Sequence, residues 1–174
     1  MPNALSQTVE KEANRVRVNA TQSHRPPGSS IKPLSVYAPA IEEGLITPYS
    51  SVDDTPFMFL NEKPWPSNSG NSYTGLTTIY TGVVRSLNTC AVKTLDLLGV
   101  ETSYDYLENR FGISTLVAYK EGSNGKIHTD LDYSPLALGG LTDGVSTFEM
   151  SGAYSTFARE GVFIRPHLYT MVLD

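Results

Sequence analysis

The sequence predicts a mixed α and β domain that is rich in helix. Three observations carry that prediction. Apolar residues recur at steps of three and four along several stretches, as they do on one face of a helix. Residues 45–76, rich in Pro, Ser, Asn, Asp and Gly, interrupt them and read as one long ordered loop. The chain ends in VFIRPHLYTMVLD, whose β-branched and aromatic content suits strands. Helices dominate, and strand material arrives only at the end.

The 174 residues are enough for one domain with a real core. Residues 1–22 are polar and mixed in charge and are expected to form a loosely packed arm, leaving 23–174 as the domain. Hydrophobic residues make up 40% and charged residues 18%, a globular composition. The net charge of -5 excludes a basic nucleic-acid surface. No apolar run is long enough to span a bilayer, and the N-terminus lacks a signal-peptide core. Cys90 is the only cysteine, so no intrachain disulfide is expected, and it reads as a small core residue. His24, His128 and His167 are far apart and lack ligand spacing, so neither a metal nor a cofactor is expected.

The first helix is expected over 29–43, with Pro33 in its first turn, a kink at Pro39 and Gly44 as its stop. Trp65 is the expected anchor of the loop that follows. Val84, Leu87, Ala91, Leu95 and Leu98 form an apolar stripe over 77–98. That stripe fits one unbroken helix or two helices meeting near Ser86, with Gly99 closing it. A third helix is expected over 104–110, capped by Ser103, followed by Gly112, and burying Tyr104, Leu107 and Phe111. EGSNGKIH, residues 121–128, reads as a turn. In the last helix Ser146 and Glu149 form a capping box, and Val145 can staple to Met150. Its buried face is expected to carry Met150, Ala153, Tyr154 and Phe157, and Gly161 ends it.

The chemistry starts in RPPGSSIKPL, where Ser29 precedes Lys32 by three residues. On a helix these two share a face. The free N–H groups of a helix N-terminus favour an oxyanion forming beside Ser29. Serine needs a base to become a nucleophile, and a neutral lysine can serve. Neutrality requires the lysine pKa to fall by ~3 units, roughly 4 kcal/mol, which burial can supply. The stiff Pro-Pro-Gly entrance then holds the serine in place. The bland alternative is a capping serine followed by a solvated lysine. The same spacing recurs at Ser123 and Lys126, where Asn124 and Gly125 disfavour a helix.

VRSLNTCAV sets Ser86 and Asn88 inside an otherwise apolar stripe, where short polar side chains are unfavourable without a purpose. A hydroxyl that shuttles a proton and an amide that holds a peptide carbonyl would supply one. A break between two short helices is the alternative for Ser86. Ser69-Gly70-Asn71 repeats the Ser-x-Asn form within the loop and is read as a decoy.

RPPGSSIKPLSVYAPAIEEGLITPYSSVDD resembles the active-site serine segment of penicillin-binding protein transpeptidase domains, particularly the bifunctional class A type. PWPSNSGNSYTGLTTIYTGVVRSLNTCAVKTLDLLG resembles the second motif region of that family. SYDYLENRFGIST and LALGGLTDGVSTFEMSGAYSTFAREGVFIRP match further stretches of it, so the resemblance runs from about Asn19 onward. It implies part of a beta-lactamase/transpeptidase-like fold: the nucleophile helix and helical subdomain, with most of the central antiparallel sheet missing. It also implies a serine D,D-transpeptidase that cross-links peptidoglycan, with Ser29 as nucleophile and Lys32 as base. Ser86 would pass the proton to the leaving amine, and Asn88 would bind the stem peptide. β-Lactam antibiotics would acylate the same serine. The parent protein would be membrane-anchored, carry a glycosyltransferase domain and work on the extracytoplasmic face of the bacterial membrane. The family's third motif, Lys-Thr/Ser-Gly, has no counterpart in the sequence, so the chain is expected to be a fragment. A serine β-lactamase, a D,D-carboxypeptidase and a non-catalytic binding module remain the alternatives.

Overall fold

The computed structural model describes residues 23–167. Its first helix, α1, is a composite of three parts. A 3-10 turn, Gly28–Ile31, leads through Lys32 into a π-helical stretch, Pro33–Tyr37, and an α-helical turn, Ala38–Glu42. Proline chemistry explains the change of pitch. Pro39 has no N–H to give the Ser35 carbonyl, and Ser103 Oγ donates to that carbonyl instead, at 2.6 Å. The kink expected at Pro39 is thus spread over a π turn ahead of it. Ser103 is buried inside its helix and does not cap it, because that helix, Val100–Asp105, begins earlier than its apolar pattern suggests.

Residues 45–76 are not a plain loop. Strand β2, Ser51–Asp54, pairs antiparallel with β5, Gly75–Thr78, and β3, Met58–Leu60, pairs with β4, Lys63–Trp65. Asn61 and Glu62 both take positive φ, the signature of a tight two-residue hairpin turn. Turn-forming residues hid strands of three and four residues from the sequence pattern. Trp65 is half-buried and packs against the core.

The 77–98 stripe is two helices. Thr78 ends β5 and caps α2, Ile79–Val84; after a break come α3, Asn88–Leu98, and then Gly99. Ser86 makes the break with a φ of 52°. The break turns Val84 out to solvent, against expectation, while Leu87, Ala91, Leu95 and Leu98 stay buried. Cys90 is buried beside them. Next comes α4, Val100–Asp105, continued by a π turn, Tyr106–Arg110, which buries Leu107 and Phe111 and half-buries Tyr104.

The 121–128 turn joins β6, Lys120–Glu121, to β7, Ile127–His128. A short helix absent from the sequence reading, α5, Tyr133–Leu138, follows and packs on α3 and α1. Asp132 Oδ1 caps it by accepting from the Tyr133 N–H at 2.7 Å. Strand β1, His24–Arg25, pairs with β8, Val145–Ser146, which feeds α6, Thr147–Ser155, through the expected capping box. Val145, Met150 and Ala153 join the core, but Tyr154 and Phe157 do not. Those two are 37% and 50% exposed, with their rings edge to face. Residues 162–167 form no strand; the rest of that stretch, and the 1–22 arm, lie outside the described residues. Among the described residues no helix is long and apolar enough to cross a membrane.

Candidate active site

Residues 25–28 reach α1 fastened along the segment 139–146. Strand β1 pairs with β8, and the Gly28 N–H donates to the Gly139 carbonyl at 3.2 Å. The approach is so close that a Cβ on Gly139 would stand 2.1 Å from the Gly28 carbonyl oxygen. Gly28 takes a φ of 57°, which glycine adopts at no steric cost. Pro-Pro-Gly thus delivers Ser29 from a fixed direction. Ser30 is tied down, its Oγ donating to the Pro27 carbonyl at 2.7 Å and its carbonyl accepting from the Tyr154 hydroxyl at 2.7 Å. Ser29 is exposed and no side-chain hydrogen bond among the described residues holds its Oγ.

Lys32 lies one 3-10 turn on, where residues three apart eclipse. It is 2% exposed. Its Nζ donates to the Ser86 carbonyl at 2.9 Å, to Ser86 Oγ at 3.3 Å and to Asn88 Oδ1 at 2.6 Å. The left-handed turn at Ser86 presents both its carbonyl and its hydroxyl to one cation. Strain of this kind collects where a site needs it. Burial pushes the Lys32 amine down to about 8 from 10.5, against a smaller opposing pull from Cys90. The lysine is thus far easier to deprotonate than one in water.

Structure therefore gathers Lys32, Ser86 and Asn88 at one point, with Ser29 a turn away and not hydrogen-bonded to them. The decoys stay apart. Ser123 and Lys126 sit exposed in the β6–β7 turn, and Ser69 and Asn71 lie exposed in the segment after β4. Among the described residues no group of three His, Cys, Asp or Glu side chains is placed to hold a metal.

Sequence reasoning missed the supports of Asn88. Its Nδ2 donates to the Ser67 carbonyl at 2.8 Å, and its N–H donates to Asn68 Oδ1 at 2.8 Å. Asn68, 5% exposed, is held in turn by Asp54, which is fully buried. Neither residue belongs to an apolar rhythm that would have revealed it. Chemically, the arrangement offers an exposed hydroxyl, a buried amine whose pKa is lowered to about 8 and an oriented carboxamide: the parts of a serine acyl-transfer site.

Residues 1–174 match the family described as the penicillin binding protein transpeptidase domain. Penicillin-binding protein 4 of Bacillus subtilis is 36% identical over 156 residues, which cover 89% of this chain and 23% of that protein. Penicillin-binding protein 1A of Clostridium botulinum is 34% identical over 157 residues, 86% of this chain and 18% of that protein. The chain thus spans under a quarter of the length of either relative. In three dimensions it resembles penicillin-binding protein 1A from Haemophilus influenzae, with a TM-score of 0.61 and 29% identity over 79% of this chain and 19% of that one. The fold also matches PonA1 from Mycobacterium tuberculosis in complex with penicillin V, with a TM-score of 0.69 and 24% identity over 88% of this chain and 40% of that one. The mixed α and β architecture is therefore part of a transpeptidase fold. With its serine turn, buried lysine and Ser-Leu-Asn corner in place, the chain belongs to the penicillin-binding protein transpeptidase domain family.

Proposed function

We propose that this chain supplies the nucleophile side of a serine D,D-transpeptidase site. The observation that carries the reading is Lys32: a buried amine with a pKa near 8, held by Ser86 and Asn88 one turn from an exposed serine. Lys32 takes the Ser29 Oγ proton as Oγ attacks the carbonyl carbon of a D-Ala-D-Ala stem peptide. The tetrahedral adduct collapses by breaking its C–N bond. The departing D-Ala nitrogen receives the proton from Lys32 through Ser86 Oγ, leaving an acyl ester on Ser29. The amine of a second stem peptide then takes the acyl group, which cross-links peptidoglycan. Asn88 orients the donor peptide.

A β-lactam acylates the same serine and stays, because its leaving nitrogen remains tethered. A distant fold relative is described as an imipenem acyl-enzyme complex, which agrees with that chemistry. On this reading the site works outside the cytoplasm, in a protein that also carries a membrane anchor and a glycosyltransferase domain.

Intact-mass analysis after incubation with a penicillin tests the proposal. One adduct on the wild type, absent from a folded Ser29→Ala variant, is expected; an adduct that survives Ser29→Ala refutes the assignment. The alternative reading is a non-catalytic module. A folded wild type that takes no adduct would favour that reading.

A further inference from the structure

The Lys32 shell rests on a second buried network that reaches it through Asn88. Asp54 is fully buried and accepts four hydrogen bonds. Thr74 gives two, from its N–H at 2.8 Å and its Oγ1 at 2.7 Å. Asn68 Nδ2 gives a third at 2.6 Å, and Thr89 Oγ1 the fourth. Burial pushes the Asp54 carboxyl up, but the bonds from Thr89, Thr74 and Asn68 outweigh it and hold the group below its ordinary value. Asp54 is therefore a carboxylate, and a carboxylate accepts only.

That fixes Asn68. Its Nδ2 must face Asp54, so its Oδ1 must face the other way, toward the first turn of α3. There it accepts from the Asn88 N–H at 2.8 Å and from the Thr89 N–H at 3.4 Å. Helix α3 needs such help, because Leu87 at its N-cap has no side chain able to cap it. Asn68 caps the helix from 20 residues upstream. Its neighbour Ser67 fixes the Asn88 side chain: the Ser67 carbonyl takes Asn88 Nδ2 at 2.8 Å, so Oδ1 is the atom left to meet Lys32 Nζ.

We infer that Asn68, oriented by the Asp54 carboxylate, is a positioning residue for acylation: it sets the backbone of Asn88, and through Asn88 the acceptor shell of Lys32. The inference rests on the transpeptidase reading for its rate effects, but its geometry does not. A simple fold-stabilising role would leave Asn68 and Asn88 acting independently.

A double-mutant cycle separates the two, with penicillin acylation followed by intact mass on Asn68→Ala, Asn88→Ala and the double variant. Each single change is expected to slow acylation roughly 100-fold, the cost of about 1 Å of misplacement. The double variant should also be slowed roughly 100-fold, not the roughly 10,000-fold that independent effects would give. Additive losses, or an unchanged rate in Asn68→Ala, overturn the inference. Should Asn68→Ala fail to fold, Asn68→Asp keeps the acceptor for Asn88 but faces Asp54 with a like charge. Adding Asp54→Asn reverses donor and acceptor between the two positions and should recover about tenfold of the lost rate: the Thr89 hydroxyl can accept as well as donate, whereas the bond that Asn68 Nδ2 gives the Ser72 carbonyl at 3.1 Å is not remade. No recovery in the exchanged pair also overturns it.

If the wild type itself takes no adduct, the catalytic reading falls and this inference is judged on an NMR titration of the Lys32 side chain. Asn68→Ala and Asn88→Ala must then move its midpoint by the same shift. A midpoint unmoved by Asn68→Ala overturns the inference.

Discussion

The chain contains two Ser-x-x-Lys tetrads, and only one of them resembles a site. Ser29-Ser30-Ile31-Lys32 winds as a 3-10 turn whose lysine drives into the corner between α2 and α3. Ser123-Asn124-Gly125-Lys126 is a hairpin tip: Gly125 has a φ of 74°, the Gly122 N–H bonds the Lys126 carbonyl, and the lysine is exposed. The spacing is identical and the chemistry is opposite. What separates them is a second element that covers the lysine and gives it acceptors. The Ser-x-Asn pairs repeat the lesson. Asn88 opens a helix and meets Lys32, whereas Asn71 stands in solvent after Gly70.

The largest break in this comparison comes from Lys32→Ala. If Lys32 is the general base proposed above, its removal should slow penicillin acylation about a thousandfold. In the wild type, acylation should rise as the pH passes through about 8, where Lys32 loses its proton, and level off above. Stability carries the same signature. Between about 8 and 10.5 the unfolded chain keeps a lysine proton that the folded one has lost, so stability rises with pH across that window. The full span corresponds to about 3 kcal/mol, penalising the fold below pH 8 and relieved above 10.5. Denaturant melts at several pH values, wild type against Lys32→Ala, read it as a slope difference. Parallel curves would mean that Lys32 titrates like a surface lysine.

A smaller effect sharpens the role of the strained corner. Ser86→Gly suits the φ of 52° and keeps the carbonyl that Lys32 uses, but removes Oγ. The melting free energy should stay within ~1 kcal/mol of wild type, because relief of the left-handed strain offsets the flexibility of glycine. Acylation should fall roughly 100-fold if the hydroxyl relays the proton. A large loss of stability with an unchanged rate would make Ser86 a corner-former alone.

How much of this was legible follows from the same contrast. Ser86 and Asn88 stood out because short polar side chains interrupt an apolar helical stripe, and Ser29 because two prolines and a glycine precede it. Periodicity carries that information. It carries none about Asp54 or Asn68, which sit among strands of three and four residues and are buried by distant partners. Helix α5 was missed for a related reason: six residues containing Pro135 are too short to show a period. Tyr154 and Phe157 err the other way: both have ring partners yet stay 37% and 50% exposed, because a stripe does not show how much of each ring its partners cover.

Lys126→Ala makes the smallest change and is the control on which the comparison depends. Among the described residues the exposed Lys126 side chain makes no bond of its own: the turn is closed by main-chain groups and by Asn124 Oδ1, which accepts from the Lys126 N–H at 3.0 Å. Stability should stay within about 0.5 kcal/mol of wild type, the usual range for a surface substitution. The acylation rate should be unchanged, side by side with the collapse in Lys32→Ala. A matching loss at Lys126 would mean that a positive charge anywhere on this surface, not a covered amine beside Ser29, drives the reaction. In that case the burial of Lys32 would explain nothing about it.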